Sequence, residues 1–547
     1  MNKKILIYQI FTRLYGNRNN QCKEWGTIQD NGSGKFADID QKTLKHIRQM
    51  GFSHVWFIGV LRHATQTDYS QYGIPSQHPS VVKGKAGSPY AICDYYDVDP
   101  DLAVNVDKRI KEYEALIARS HKAGLKVIMD FVPNHVARQY KSVAKPQGVK
   151  DLGADDDQQH GFSPQNNFYY CPGCKFEPQF DVNGYEEYPA KSTGNDHFDQ
   201  HPGINDWYET VKLNYGVDYY TGIGHFDPIP DTWNKMTDIL LFWASKGVDG
   251  FRCDMAEMVP AAFWAWVTDK VKYRHPDIVF IGEVYNPAEY RNYINAGFDY
   301  LYDKVGMYDT MRNVICGHGS ASFITGAWQS TDDISGHMLY FLENHDEQRV
   351  ASDFFAGDAR KGIPGLVASV LMQSNPFMLY AAEEYGERGM DKEGFSGCDG
   401  RTTIFDYWSI DTMCRAANDA LTADEQYIYD IHEKVLQIAR KEKAIDGQFY
   451  DLMYVNPWSA RFDNNKQYAF LRKNDKNTLL VVCNFNGNAV DIDVKIPRHA
   501  VELLDIKEKK YTATDLLSGD KTTFCVKGDD SVSMIVPPYG ARVWKLC

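Results

Sequence analysis

The amino-acid sequence predicts an α/β protein: a (β/α)8 TIM barrel with an inserted domain after strand 3 and a C-terminal antiparallel β-sandwich. Three observations predict it. Eight short apolar runs alternate with helical patterns over residues 5–446, as in a parallel sheet covered by helices, and eight such units fit a closed barrel. The alternation stops once, over 136–230, a stretch too long for a structureless loop in a compact domain. From residue 447 onward the pattern changes to period-two strands separated by Asn-Gly, Gly-Asp and Pro turns. The expected division is therefore 1–135 with 231–446 for the barrel, 136–230 for the insert and 447–547 for the sandwich.

The elements follow in order. "ILIYQIF" (5–11) reads as the first strand, followed by an amphipathic helix over 40–51 that Gly51 closes. "SHVWFIG" (53–59), the helix 106–124 and "LKVIMDFV" (125–132) come next. The segment 136–230 is rich in Gly, Pro, Asp, Asn and Tyr. The barrel pattern resumes with a helix over 233–247, the strand "VDGFRCD" (248–254), a helix over 261–273 and the strand "DIVFIGEV" (277–284). "FDYLYD" (298–303), "HMLYFLEN" (337–344) and "NPFMLYAAEE" (375–384) complete eight strands. A helix over 423–444 precedes the sandwich. A doubly wound open sheet is the alternative, but no glycine-rich phosphate loop follows the first strand.

Composition narrows the function. A net charge of −14 argues against a nucleic-acid backbone or an anionic membrane surface as partner. No run reaches the roughly 18 apolar residues of a membrane span. The start "MNKKILIYQIF" has too short an apolar run for a signal peptide and reads as a strand. Eleven cysteines, odd in number and unpatterned, suggest free thiols in a reducing, cytoplasmic setting. "CPGC" (171–174) lacks the second ligand pair of a zinc site and reads as a Pro-Gly turn.

The C-terminal ends of barrel strands are where chemistry is expected. Reading those ends gives Asp130 with Asn134 and His135, Arg252 with Asp254, then Glu283, then His345 with Asp346. Arg252 and Asp254 share one strand face, and an ionic pair set into an apolar strand is costly unless paired or used. Any one of these residues alone is explained by packing or capping. A constellation on one face is not.

At these residues the chain resembles the α-amylase superfamily, glycoside hydrolase family thirteen. "DFVPNH" (130–135), "GFRCDMAEMV" (250–259), "IGEVY" (281–285) and "FLENHDEQR" (341–349) are similar to its four motif regions, in order. "PIPDTWN" (228–234) and "GSPYAICDYYDVDPDLA" (87–103) extend the likeness. The resemblance implies Asp254 as nucleophile, Glu283 as general acid/base and Asp346 as the third carboxylate. It implies a substrate-binding set of Tyr90, His135, Arg252 and His345, with Arg252 keeping Asp254 ionised. It also implies a calcium ion ligated by Asn134. Retaining glycosidases place the two working carboxyls about 5–5.5 Å apart. Two departures stand out. Glu257 and Met258 occupy positions where many members carry Lys-His, and the first βα loop lacks the Asp-x-Asn-x-Asp-Gly metal loop of exo-acting relatives.

The implied activity is retaining hydrolysis of α-1,4 bonds in starch, glycogen or maltooligosaccharides. A glucanotransferase or maltosyltransferase using the same carboxylates is the alternative, and a catalytically silent glycan-binding relative the third. The cysteine reading has its own consequence: thiol titration of the denatured, unreduced protein is expected to find nearly all eleven cysteines free, and several disulfides would overturn it.

Overall fold

The computed structural model describes residues 4–390, 392, 394, 395 and 397–547; Met1–Lys3, the charged start of the signal-like N-terminus, lie outside them. Eight parallel strands close a barrel: β1 (Leu6–Phe11), β2 (His54–Ile58), β3 (Lys126–Phe131), β4 (Gly250–Cys253), β5 (Val279–Gly282), β6 (Tyr300–Tyr302), β7 (Met338–Phe341) and β8 (Phe377–Tyr380). Each lies inside the apolar run that predicts it, and each pairs with its sequence neighbours, β1 closing onto both β2 and β8.

The helices between them form for readable reasons. Gln41–Met50 starts at Asp40, whose carboxylate accepts from the Thr43 backbone N–H at 2.8 Å; it buries Leu44, Ile47 and Met50 and ends at Gly51, φ 122°. Arg109–Lys122 buries Tyr113, Leu116, Ile117 and Ser120, the three-four spacing of one face. Ala423–Lys441 opens with a Thr422–Glu425 capping box. Ile363–Leu371 is apolar all round, and all nine of its residues are buried because it is covered from outside by the C-terminal strands Thr478–Asn484 and Gly540–Leu546.

The register of the barrel positions the site. Arg252 on β4 lies directly opposite Asp130 on β3 and Ile281 on β5. Side chains alternate along a strand, so Asp254 and Glu283, each two residues on, extend the same inward face. Their backbone N–H groups continue the ladder, onto Phe131 O at 2.9 Å and Cys253 O at 3.1 Å.

Two excursions rise from the strand ends. One follows β2, where Leu61–His63 pairs antiparallel with Ile92–Val98. The apolar-run criterion does not find this pair, because its second strand carries buried Asp94 and Asp97 beside Arg62, at 3.3 Å each. The other lies between β3 and the helix Asp231–Ser245. It holds three two-stranded ladders: His135–Ala137 with Thr210–Lys212, Tyr170–Cys171 with Ala190–Lys191, and Val217–Asp218 with Ile223–Gly224. "CPGC" is a turn, with Cys174 N–H donating to Cys171 O at 3.1 Å and Gly173 at φ 77°. The C-terminal layer is lopsided. A six-stranded antiparallel sheet (448–451, 467–473, 478–484, 540–546, 509–515, 521–526 in spatial order) packs against the two-stranded ladder of 490–495 with 531–536. Among the described residues no helix is long and apolar enough to cross a membrane.

Candidate active site

Arg252 sits at the centre of the barrel mouth with no exposure to solvent. Its Nη1 lies 2.8 Å from Asp254 Oδ1 and 3.4 Å from Asp130 Oδ1, and its Nη2 lies 2.8 Å from Glu283 Oε2. Its Nε donates to the Tyr302 hydroxyl at 3.3 Å. Trp56, Tyr90 and Tyr302 rings surround the guanidinium at 5.3–5.5 Å, which desolvates it and strengthens its hold on the carboxylates. Trp56 Nε1 ties down Asp130 at 3.1 Å.

Glu283 is fixed from three sides. Besides Arg252, its Oε2 accepts from the Met255 backbone N–H at 2.8 Å, and its Oε1 accepts from the Tyr285 hydroxyl. Met255 reaches that position through a left-handed backbone, φ 41°, unusual for a side-chain-bearing residue and placed directly after Asp254. Glu257, part of the first departure from the family pattern, caps the loop beyond Glu283: its Oε2 accepts from Tyr285 N–H and Asn286 N–H, both at 3.0 Å. The loops after β4 and β5 are thus locked together.

Asp346 and His345 form the far wall. His345 Nε2 lies 3.0 Å from Asp346 Oδ2 and 2.5 Å from the Tyr90 hydroxyl, Gln9 Nε2 lies 3.0 Å from His345 Nδ1, and the Tyr90 ring stacks on His345 at 5.3 Å. His135 packs against Trp207 at 5.1 Å. A cavity of about 250 Å³ is bounded by Tyr90, His135, Asp254, Glu283 and Asp346 together with Lys83, Trp207, Glu209, Tyr285 and Phe405. A second cavity of about 570 Å³ adjoins it, sharing Lys83, Asp346, Ile404 and Phe405 and reaching Trp25 and Arg401. The two make one cleft lined by aromatic faces and charged groups.

At Asp254 burial and Arg252 pull in opposite directions. Burial pushes the Asp254 carboxyl well above the usual range; Arg252 pulls it back, and Glu283, Asp346 and Asp130 push it further up. Burial likewise pushes Asp130 up to about 6 against the pull of Arg252. The one guanidinium of Arg252 opposes the rise of Asp254 and Asp130 but does not offset their burial. Asp346 differs: burial opposes ionisation, but His345 and Arg252 hold it below the usual carboxylate range. Burial, with Lys212 and Lys83 nearby, pushes His135 down to about 3, leaving a neutral imidazole.

Six of the eight residues to which the resemblance gives a role border the cleft: Asp254, Glu283, Asp346, Tyr90, His135 and His345. Arg252, grouped with the substrate-binding residues, instead lies sealed beneath the carboxylates and acts through them. Asn134 is fully buried and faces Lys212, not the cleft. Lys83, Trp207, Glu209 and Phe405 escape sequence reading, and Tyr285, inside the "IGEVY" motif, is given no role there. They come from irregular segments and meet only in the fold.

Residues 9–430 match the family model for the alpha amylase catalytic domain, and residues 458–547 match that for the alpha amylase C-terminal all-beta domain. The chain belongs to the α-amylase superfamily of glycoside hydrolases. Similar curated proteins include an α-amylase of Haloarcula japonica, 24% identical over 77% of this chain and 50% of its own length. Another is alpha-amylase 3 of Dictyoglomus thermophilum, 24% identical over 80% of this chain and 82% of that protein. The chain thus spans about half the length of the first of these relatives. Among solved structures, a maltogenic α-amylase of Thermotoga neapolitana superposes with a TM-score of 0.64 at 19% identity, covering 100% of this chain and 99% of that one; it shares the fold.

The crowded carboxylates predict a stability–function conflict. A carboxyl whose folded pKa is raised costs nothing below its unfolded value near 3.9, and its penalty grows as pH rises toward the folded value. Asp254→Asn removes that penalty. Its melting temperature is expected to equal wild type near pH 4 and to exceed it by a few degrees at pH 7.5. Scanning calorimetry at both pH values checks this; a lower melting temperature at pH 7.5 contradicts it.

Proposed function

We propose that the chain is a retaining α-glucan hydrolase cleaving α-1,4-glucosidic bonds of starch, glycogen or maltooligosaccharides. The observation that carries the reading is the Arg252 fork, with one Nη on Asp254 and the other on Glu283 beneath a cleft built for rings. A shared guanidinium keeps the two carboxyls close, the arrangement that suits a covalent glycosyl-enzyme route. Asp254 attacks the anomeric carbon as the glycosidic bond breaks. Glu283 gives a proton to the departing oxygen, then takes one from water as water displaces Asp254. Asp346, ionised at the opposite wall, accepts from sugar hydroxyls; Tyr90 supports the ring; His135 and His345 hydrogen-bond its hydroxyls.

Two adjoining cavities favour a chain of sugars over a single one. Transfer to a sugar acceptor uses the same residues, with a hydroxyl in place of water. No step needs a nucleic acid, a membrane or a metal at the reacting atoms. All eleven cysteines are free thiols, which supports a cytoplasmic setting.

NMR of fresh product from maltoheptaose tests the route: the reducing end is expected to appear first as the α-anomer, because two inversions cancel, and initial β-anomer would contradict it. Asp254→Asn is expected to lower turnover by about three orders of magnitude or more. Glu283→Gln is expected to hurt natural glucans far more than an α-glycosyl fluoride, whose leaving group needs little protonation. Equal losses on both would remove Glu283 as the acid. Products longer than the substrate on adding maltose would assign transfer as the main activity.

A further inference from the structure

We propose that the ammonium of Lys212 is the resident cation where the inserted segment meets the barrel, and that the chain holds this junction without calcium. Three oxygens from three separate segments converge on Lys212 Nζ. Asn134 Oδ1, just past β3, accepts a hydrogen bond from it. Asp196, in the insert, lies 2.7 Å away. The Met258 carbonyl, in the turn after Asp254, accepts at 3.2 Å. The ammonium donates to two of these oxygens and forms an ion pair with the third.

The arrangement is built in. Lys212 is paired with His135 in the ladder that ties the insert to the barrel mouth, so the strand register delivers its side chain to this spot. The Asn134 amide is oriented by donating its Nδ2 to Gly194 O at 2.8 Å, which turns Oδ1 toward the lysine. Both side chains are sealed from solvent, Lys212 at 2% exposure. Calcium does not fit this donor set. It takes six to eight oxygens, whereas three converge here, and it would sit against a buried ammonium. One carboxylate, Asp196, matches the single charge of lysine and leaves a divalent ion half compensated. Among the described residues no cluster of three or more His, Cys, Asp or Glu offers a metal site elsewhere. Through Met258 the same ammonium also reaches the turn that follows Asp254. The proposal stands on this junction and not on the reaction assigned above.

The experiment combines metal analysis with a double-mutant cycle. Purified wild-type protein is expected to hold far less than one calcium per chain, with a melting temperature unmoved by excess chelator or added calcium. Lys212→Met, which keeps the length of the stem and removes the charge, is expected to lower the melting temperature by several degrees. Asp196→Asn is expected to lower it too, and the double variant to lose clearly less than the sum, since one interaction is removed twice. Should Lys212→Met fail to fold, the wild-type metal measurement still decides. About one calcium per chain with a chelator-sensitive melting temperature, an unchanged Lys212→Met, or fully additive losses would each overturn the proposal.

Discussion

The fully buried guanidinium of Arg252 is the interaction on which the rest of the site depends. A cation at the base of the barrel mouth, ringed by Trp56, Tyr90 and Tyr302, is tolerable only because carboxylates meet it. Those carboxylates are tolerable only because the cation is there. Asp130, Asp254 and Glu283 therefore form one unit. Three carboxyls on one cation leave an excess of negative charge, which adds to burial in raising Asp254 and Asp130. Two carboxyls held on one guanidinium suit the nucleophile and acid proposed for this site.

The barrel supplies this unit with little help from loops. Parallel register sets Arg252 level with Asp130, and the two-residue period of a strand lifts Asp254 and Glu283 to the rim. Short-range devices then fix the rotamers: the left-handed Met255 turns its N–H onto Glu283, and Glu257 clamps the following loop. The segments after β2 and β3 contribute the walls, Tyr90 and Lys83 from one and Trp207 and Glu209 from the other. Chemistry sits on rigid strands, while the shape of the cleft is left to irregular chain.

That division explains how much was legible in the sequence. Strands buried on both faces read as unbroken apolar runs, so all eight were visible, and a charged residue inside such a run, as at Arg252, was conspicuous. The site carboxylates stood at strand ends for the same reason. What stayed hidden depends on distance in sequence. Nothing near Asn134 announces Lys212, 78 residues away, and so calcium was the expectation from resemblance. Nothing near Asp254 shows that burial outweighs its arginine, because that balance is set by Glu283, Asp346 and Asp130 arriving from other strands. Glu257 looked like a departure from the family pattern, and only the fold shows it serving as a clamp on the loop beyond Glu283.

The account's central claim is that Asp254, held on Arg252, forms the bond to the sugar. A 5-fluoro maltosyl fluoride slows breakdown of a covalent intermediate more than its formation, because the fluoride departs readily while the sugar cation is disfavoured. Proteolysis and mass spectrometry of the inactivated enzyme then locate the adduct. The account predicts one maltosyl adduct per chain on the peptide carrying Asp254, none in Asp254→Asn, and recovery of activity when maltose is added as acceptor. An adduct on Glu283 or Asp346 would contradict it.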